Sequence, residues 1–160
     1  MNSNDSAPPA YPAAAAAKIL QVAAERGRAS ATPYAGVVTP AEAWELVQEV
    51  GARLVDVRTA AELKYVGRVP GAVHIEWSSS DPAGPAHFVE TLRGLARPDD
   101  VVLMLCRSGA RSHAAAAAAT AAGYRSALNI LEGFEGKLDE NRHRGRLEGW
   151  RMRGLPWEQD

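Results

Sequence analysis

Val101-Val-Leu-Met-Leu105-Cys106-Arg107-Ser108-Gly109-Ala110-Arg111-Ser112 decides the architecture. Five consecutive apolar residues, Val101–Leu105, mark a strand buried on both faces, as strands are when helices cover both sides of a parallel sheet. A polar loop follows over 106–111. Residues 112–122 then read as a helix of nearly pure alanine, stopped by Gly123. Strand, tight loop and helix in succession are the repeating unit of an α/β domain. In open parallel sheets ligands bind beyond the carboxyl ends of the strands, so this loop lies on the edge where chemistry is expected.

The same alternation extends in both directions. Upstream, Val37-Val38 is a short strand, and Thr39-Pro-Ala-Glu42 is a capping box with proline at the first helical position. Trp44, Leu46, Val47 and Val50 supply that helix's apolar positions, and Gly51 closes it. Arg53–Val57 reads as a strand and Thr59-Ala-Ala-Glu62 as a second capping box. Val69–Ala72 is a turn into a strand at Val73–Glu76. Residues 78–85 form a loop, and Phe88, Val89, Leu92 and Leu95 recur at helical spacing within 86–96. Downstream, a strand is expected at 127–130 and a short helix at 134–140. The fold class is therefore α/β, with a mostly parallel central sheet of about five strands and helices on both faces.

The chain has 160 residues, a formal net charge of −1 and 46 % apolar residues, of which 31 are alanine. That supports one domain with tails, set at 36–140. Residues 1–12 are polar and proline-bearing and expected to be disordered. A helix over 13–26 ending at Gly27 and a linker over 28–36 complete the segment 1–35. Residues 141–160 form a basic extension containing Trp150 and Trp157. Net charge near zero argues against nucleic-acid binding driven by global charge. No apolar run exceeds six residues, too short for a membrane helix. The N-terminus carries an acid and no base before Lys18, unlike a secretory signal, and the expected location is cytoplasmic. Cys106 is the only cysteine, so no internal disulfide or CxxC site can form. His74, His87 and His143 show no ligand spacing with it, so neither metal nor other cofactor is expected.

Within the loop, Cys106 is the candidate nucleophile. A tight loop entering a helix turns backbone N–H groups toward one point, and the helix N-terminus adds partial positive charge. Arg107 and Arg111 add full charges, and Gly109 permits a backbone angle other residues resist. Such a cradle, formed by Arg107, Ser108, Gly109, Ala110 and Arg111, stabilises a thiolate and any anion bonded to its sulfur. A lone cysteine after an apolar strand is more often an inert core residue; the polar loop and two arginines reverse that expectation. Four residues separate Cys106 from Arg111, whereas phosphatase loops of the H-C-x5-R type hold five, which disfavours phosphoryl or arsenate chemistry.

The CRSGARS run resembles the active-site loop of the rhodanese, or single-domain sulfurtransferase, family. Three other stretches resemble that family in the same order: Leu54-Val-Asp-Val-Arg58 with Glu62, Gly67-Arg-Val-Pro-Gly-Ala-Val-His-Ile75, and Asn129-Ile-Leu-Glu-Gly-Phe134. The resemblance spans 37–138. It implies that Cys106 carries sulfur as a persulfide between a small anionic donor, such as thiosulfate, and a cyanide or thiol acceptor. It also implies that Asp56 pairs with Arg111 to hold the loop, while Arg58 and Glu62 brace the segment after their strand. A non-catalytic binding module of the same fold is the competing class; such members often lack the cysteine.

The tail holds five arginines and one glutamate between Arg142 and Arg153, a local charge of +4, interleaved with Trp150, Leu155 and Trp157. Two expectations follow: an extended segment packing its tryptophans onto the domain, or a docking site for an acidic protein partner.

Overall fold

A computed structural model describes residues 14–160; the expectation for 1–12 lies outside the described residues. Ten elements follow in chain order: α1 (Ala14–Ala29), β1 (Gly36–Val38), α2 (Pro40–Val50), β2 (Arg53–Asp56), α3 (Ala60–Val66), β3 (Val73–His74), α4 (Gly84–Arg93), β4 (Val101–Leu105), α5 (Ala110–Ala121) and β5 (Ser126–Ile130). The five strands form one sheet in the order β1-β5-β4-β2-β3, and every neighbouring pair is parallel. The all-parallel sheet needs cover on both faces, and β4 shows how it is obtained. Val102 and Met104 enter a core with Phe88 and Leu92 of α4 and Ala115, Ala116 and Ala119 of α5. Leu103 and Leu105, pointing the other way, join Ile19 of α1, Ala43 and Leu46 of α2, and Trp150.

Local sequence signals set several boundaries. Thr39 and Thr59 each accept the backbone N–H of the glutamate three residues on, whose carboxylate reaches back to the cap N–H. Each box satisfies two otherwise orphaned donors. Gly51 takes a left-handed conformation, φ 64°, and ends α2.

Other boundaries move. Gly27 does not end α1; it lies buried inside it. Small residues here permit close approach: a Cβ on Gly36 would meet the Ala23 backbone at 2.5 Å, and one on Gly27 would meet the Gly36 Cα at 3.0 Å. α1 therefore rests directly on β1. Arg26 fastens it, donating to the Val37 carbonyl at 3.1 Å and pairing with Glu42 at 2.6 Å. α5 starts at Ala110, two residues inside the expected loop, and β3 spans only two residues.

No helix forms over 134–140. Gly136 adopts φ 77°, and a Cβ there would strike the Glu148 backbone at 2.4 Å. The chain turns at that point because the C-terminal segment packs across it. The Trp150 N–H donates to the Gly133 carbonyl and the Arg151 N–H to that of Phe134. Trp150 is fully buried, edge-on to Trp44, and its indole N–H reaches the Pro156 carbonyl at 2.8 Å. Trp157 stays 40 % exposed, with the Arg151 guanidinium 5.0 Å from its ring. Reciprocal backbone bonds between Arg68 and Glu158, each 2.9 Å, tie down the end of the chain. No helix among the described residues is long and apolar enough to cross a membrane.

Candidate active site

β2 and β4 run side by side, with Asp56 registered opposite Leu105. Their carboxyl ends therefore bring Asp56, Arg58 and Cys106 to one edge of the sheet. Cys106 leaves β4 and Gly109, at φ 117°, turns the chain into α5. The Gly109 N–H points at the Cys106 Sγ from 3.1 Å, and the Ser112 hydroxyl lies 3.1 Å from the same sulfur. The same hydroxyl lies within donating distance of the Gly109 carbonyl, so its single proton serves the carbonyl or the sulfur, one at a time. The sulfur thus sits at the amino end of a twelve-residue helix, where partial positive charge favours an anion. Cys106 is 1 % exposed, whereas Arg107, Ser108 and Ala110 are exposed. Of the loop's backbone donors, Gly109 alone bonds the sulfur among the described residues.

The arginine that closes the loop has a different partner from the one expected. Arg111 forms a two-bond fork with Glu62, at 2.7 and 2.9 Å. Asp56 is occupied by Arg58, whose Nη2 and Nε lie 2.6 and 3.0 Å from its carboxylate oxygens. This pair is buried, and Arg58 continues to the Gly67 carbonyl at 2.9 Å. The reason is reach. Asp56 and Arg58 are two residues apart at a strand end, so the guanidinium folds back on the carboxylate. It then lies over the Phe134 ring, 4.2 Å from the ring centre, which compensates in part for Nη1 having no hydrogen-bond partner. Glu62 therefore braces the active loop, while Asp56 and Arg58 brace the turn after β2.

Burial works against the Glu62 charge, but hydrogen bonds from Arg111 and Thr59 outweigh it and bring its pKa down to about 2. Hydrogen bonding to Glu62 raises the pKa of Arg111, burial opposes this, and the nearby Cys106 and Asp56 add to the rise. At full weight the Glu62 shift corresponds to ~3 kcal/mol; partial exposure of both side chains brings this to ~1–2 kcal/mol. Because the folded-state value lies below the ordinary 4.5, the contribution is complete above that pH and fades as pH falls toward about 2. Glu62→Gln should thus lower stability by ~1–2 kcal/mol at pH 7, with wild type and variant converging in acid. Urea melts across that range check this; a gap independent of pH would count against the fork.

Two supports were not legible as site residues. Gly133, φ 69°, lies beneath the loop, and a Cβ on it would meet the Arg107 carbonyl carbon and oxygen at 2.5 Å. The Phe134 N–H donates to the Cys106 carbonyl and the Glu135 N–H to that of Arg107. The segment after β5 is thus laced to the loop from below. Gly133→Ala should push the loop outward and reduce turnover by ~10–100-fold, since misplacement of ~1 Å can cost that much. Unchanged kcat/KM would show that the loop tolerates the shift. The second support is Asn129, buried on β5, whose amide lies 3.4 Å from the Tyr34 hydroxyl and 3.5 Å from the Gly109 carbonyl. Tyr34 in turn meets His113 Nδ1 at 2.7 Å. The hint of either role was that Asn129 and Gly133 both fall inside the Asn129–Phe134 stretch.

A parallel sheet covered on both faces, with a cysteine loop running from a central strand into a helix, defines the class. Residues 39–139 match the model of the rhodanese-like domain, and the chain belongs to that family. It is 31 % identical over 121 residues to thiosulfate sulfurtransferase GlpE of Actinobacillus succinogenes, a match covering 76 % of this chain and 88 % of that protein. A sulfurtransferase of Allochromatium vinosum is 32 % identical over 103 residues, 64 % of this chain and 75 % of that protein. Among solved structures, Rv0390 of M. tuberculosis is similar, with 46 % identity and a TM-score of 0.69 over 79 % of this chain and 99 % of that one.

Proposed function

We propose that this protein is a sulfurtransferase working through a Cys106 persulfide. The thiolate attacks the outer sulfur of an anionic donor such as thiosulfate, the S–S bond of the donor breaks, and sulfite leaves with the bonding pair. A cyanide or thiol acceptor then attacks the outer sulfur of the persulfide, giving thiocyanate or an acceptor persulfide and restoring the Cys106 thiolate. Two half-reactions on one enzyme give ping-pong kinetics. The observation that carries the reading is the sulfur's setting: the Gly109 N–H and the Ser112 hydroxyl, each 3.1 Å away, at the start of α5. Family membership and the sulfurtransferases among the relatives support it.

On this reading a thiol that is 1 % exposed can still hand on its cargo. An added sulfur lengthens the side chain by ~2 Å, which brings the transferable sulfur that much closer to an acceptor than the thiol itself. Arg107, exposed beside it, attracts the anionic donor. With no second cysteine in the chain, the persulfide has no internal thiol to resolve it, and sulfur passes to an external acceptor. Cytoplasmic residence fits this chemistry, since a reducing compartment keeps a lone thiol free.

Intact mass after incubation with thiosulfate tests the proposal. A gain equal to one sulfur atom, removed by cyanide with release of thiocyanate, is expected. Failure to form the adduct at any donor concentration would leave the domain as a non-catalytic binding module.

A further inference from the structure

The arginines of the C-terminal segment divide into two sets. Arg153 is paired with Glu132, and Arg151 reaches the Val66 carbonyl and lies over Trp157; both hold the segment down. Arg142, Arg144 and Arg146 instead line the wall of an open cleft of about 600 Å³ that Arg107 of the active loop also lines. None of these four makes an ion pair with a carboxylate among the described residues. Of the acidic side chains lining the cleft, Glu62 is committed to Arg111, which leaves Glu135, with the Asp139 carboxylate behind the wall close enough to interact with Arg146, against four guanidinium groups. The wall is fixed in place. Arg144 donates to the Gly136 carbonyl at 2.7 Å, the Gly145 N–H to the Glu135 carbonyl at 2.8 Å, and the Asp139 carboxylate accepts the N–H groups of Asn141 and His143. Arg142 is held there at φ 63°, a conformation an arginine rarely adopts. These three arginines lie beyond residues 39–139, the part shared with the family.

We propose that this cleft docks an acidic segment of a protein whose thiol exchanges sulfur with Cys106. The inference rests on the sulfur-transfer reading above and names the macromolecular partner of that site. Charge complementarity is the argument. A donor such as thiosulfate or an acceptor such as cyanide is a few ångströms across and finds its cation at Arg107. Guanidinium groups spread along a 600 Å³ cleft open to solvent match carboxylates spread along a chain. Exposed Leu138 at the same cleft adds apolar surface, which a peptide covers and a small anion does not. Fields of one sign in a cleft raise encounter rates with the opposite charge and lose that effect in salt.

The test uses the full chain, thiosulfate as donor and two synthetic acceptors, the peptide Asp-Glu-Cys-Glu-Asp blocked at both ends and its Asn/Gln counterpart. Flanking carboxylates suppress thiolate formation in the acidic peptide, so intrinsic reactivity opposes any preference for it. The proposal expects kcat/KM for the acidic peptide ~10-fold above the neutral one at low ionic strength. That ratio should fall toward one in ~0.5 M salt and in the Arg142→Gln/Arg146→Gln double variant. A wild-type ratio at or below one, or the same ratio in the double variant, overturns it. Mercaptosuccinate against mercaptoethanol is the small-molecule arm; an equal gain there would assign the cleft to small dianions and overturn the protein-segment assignment. A preparation inactive with thiosulfate and cyanide would sink the sulfur-transfer reading instead. Fluorescence anisotropy of labelled acidic peptide then decides docking alone: binding lost in the double variant supports it, and equal binding overturns it.

Discussion

Replacing Cys106 with serine is expected to abolish sulfur transfer while the protein stays folded. The hydroxyl is close in size to the thiol and inherits the Gly109 N–H and the Ser112 hydroxyl, each 3.1 Å from the present sulfur. The small volume change in the core containing Cys106 should lower stability by no more than ~1 kcal/mol. Chemistry fails because an alcohol at its ordinary pKa is a poor nucleophile and forms no persulfide. The measurement is cyanide-dependent thiocyanate release, with a thermal melt as the folding control. Residual turnover above ~1 % of wild type would remove Cys106 from the role of sulfur carrier.

The second large effect is on stability. Trp150→Ala should lower it by ~3–5 kcal/mol, the usual range for deleting a buried aromatic side chain. In a chain of this size that displaces the melting temperature by roughly 10 °C. Trp150 is fully buried, meets Trp44 edge-on and donates to the Pro156 carbonyl. Deleting 146–160 should do at least as much damage and should also slow turnover. The reason is a stack of contacts: the Trp150 N–H bonds the Gly133 carbonyl, and Gly133 supports Arg107 from beneath. A truncated protein with unchanged melting temperature would mean that the segment is a free arm.

How much of this was legible in the sequence depends on how far each signal reaches along the chain. The capping boxes at Thr39 and Thr59, and β4 at Val101–Leu105, were read correctly because their evidence lies within a few residues. The loop around Cys106 was legible for the same reason. The helix expected over 134–140 was wrong because Gly136 obeys a contact with Glu148, twelve residues away and invisible to local periodicity. The family resemblance offered Asp56 as the partner of Arg111, and the structure gives that place to Glu62. Nothing local in the sequence tells that Arg58 folds back onto Asp56 and occupies its carboxylate. Ser112 stands within the quoted loop, but its place on the inner face of α5 depends on the helix starting at Ala110.

The way α1 fastens to β1 bears on the behaviour of the protein in concentrated solution. β1 is an outermost strand of the sheet. The Leu131 N–H donates to the Val38 carbonyl, so that carbonyl faces β5, and the Val37 carbonyl before it faces outward. An outward carbonyl on an edge strand invites a strand from another molecule. Arg26 occupies that carbonyl, and α1 lies close against the strand. The helix therefore covers both an unpaired sheet edge and the apolar surface beneath Ile19, and a chain lacking it is expected to lose solubility through contact of that edge with its neighbours.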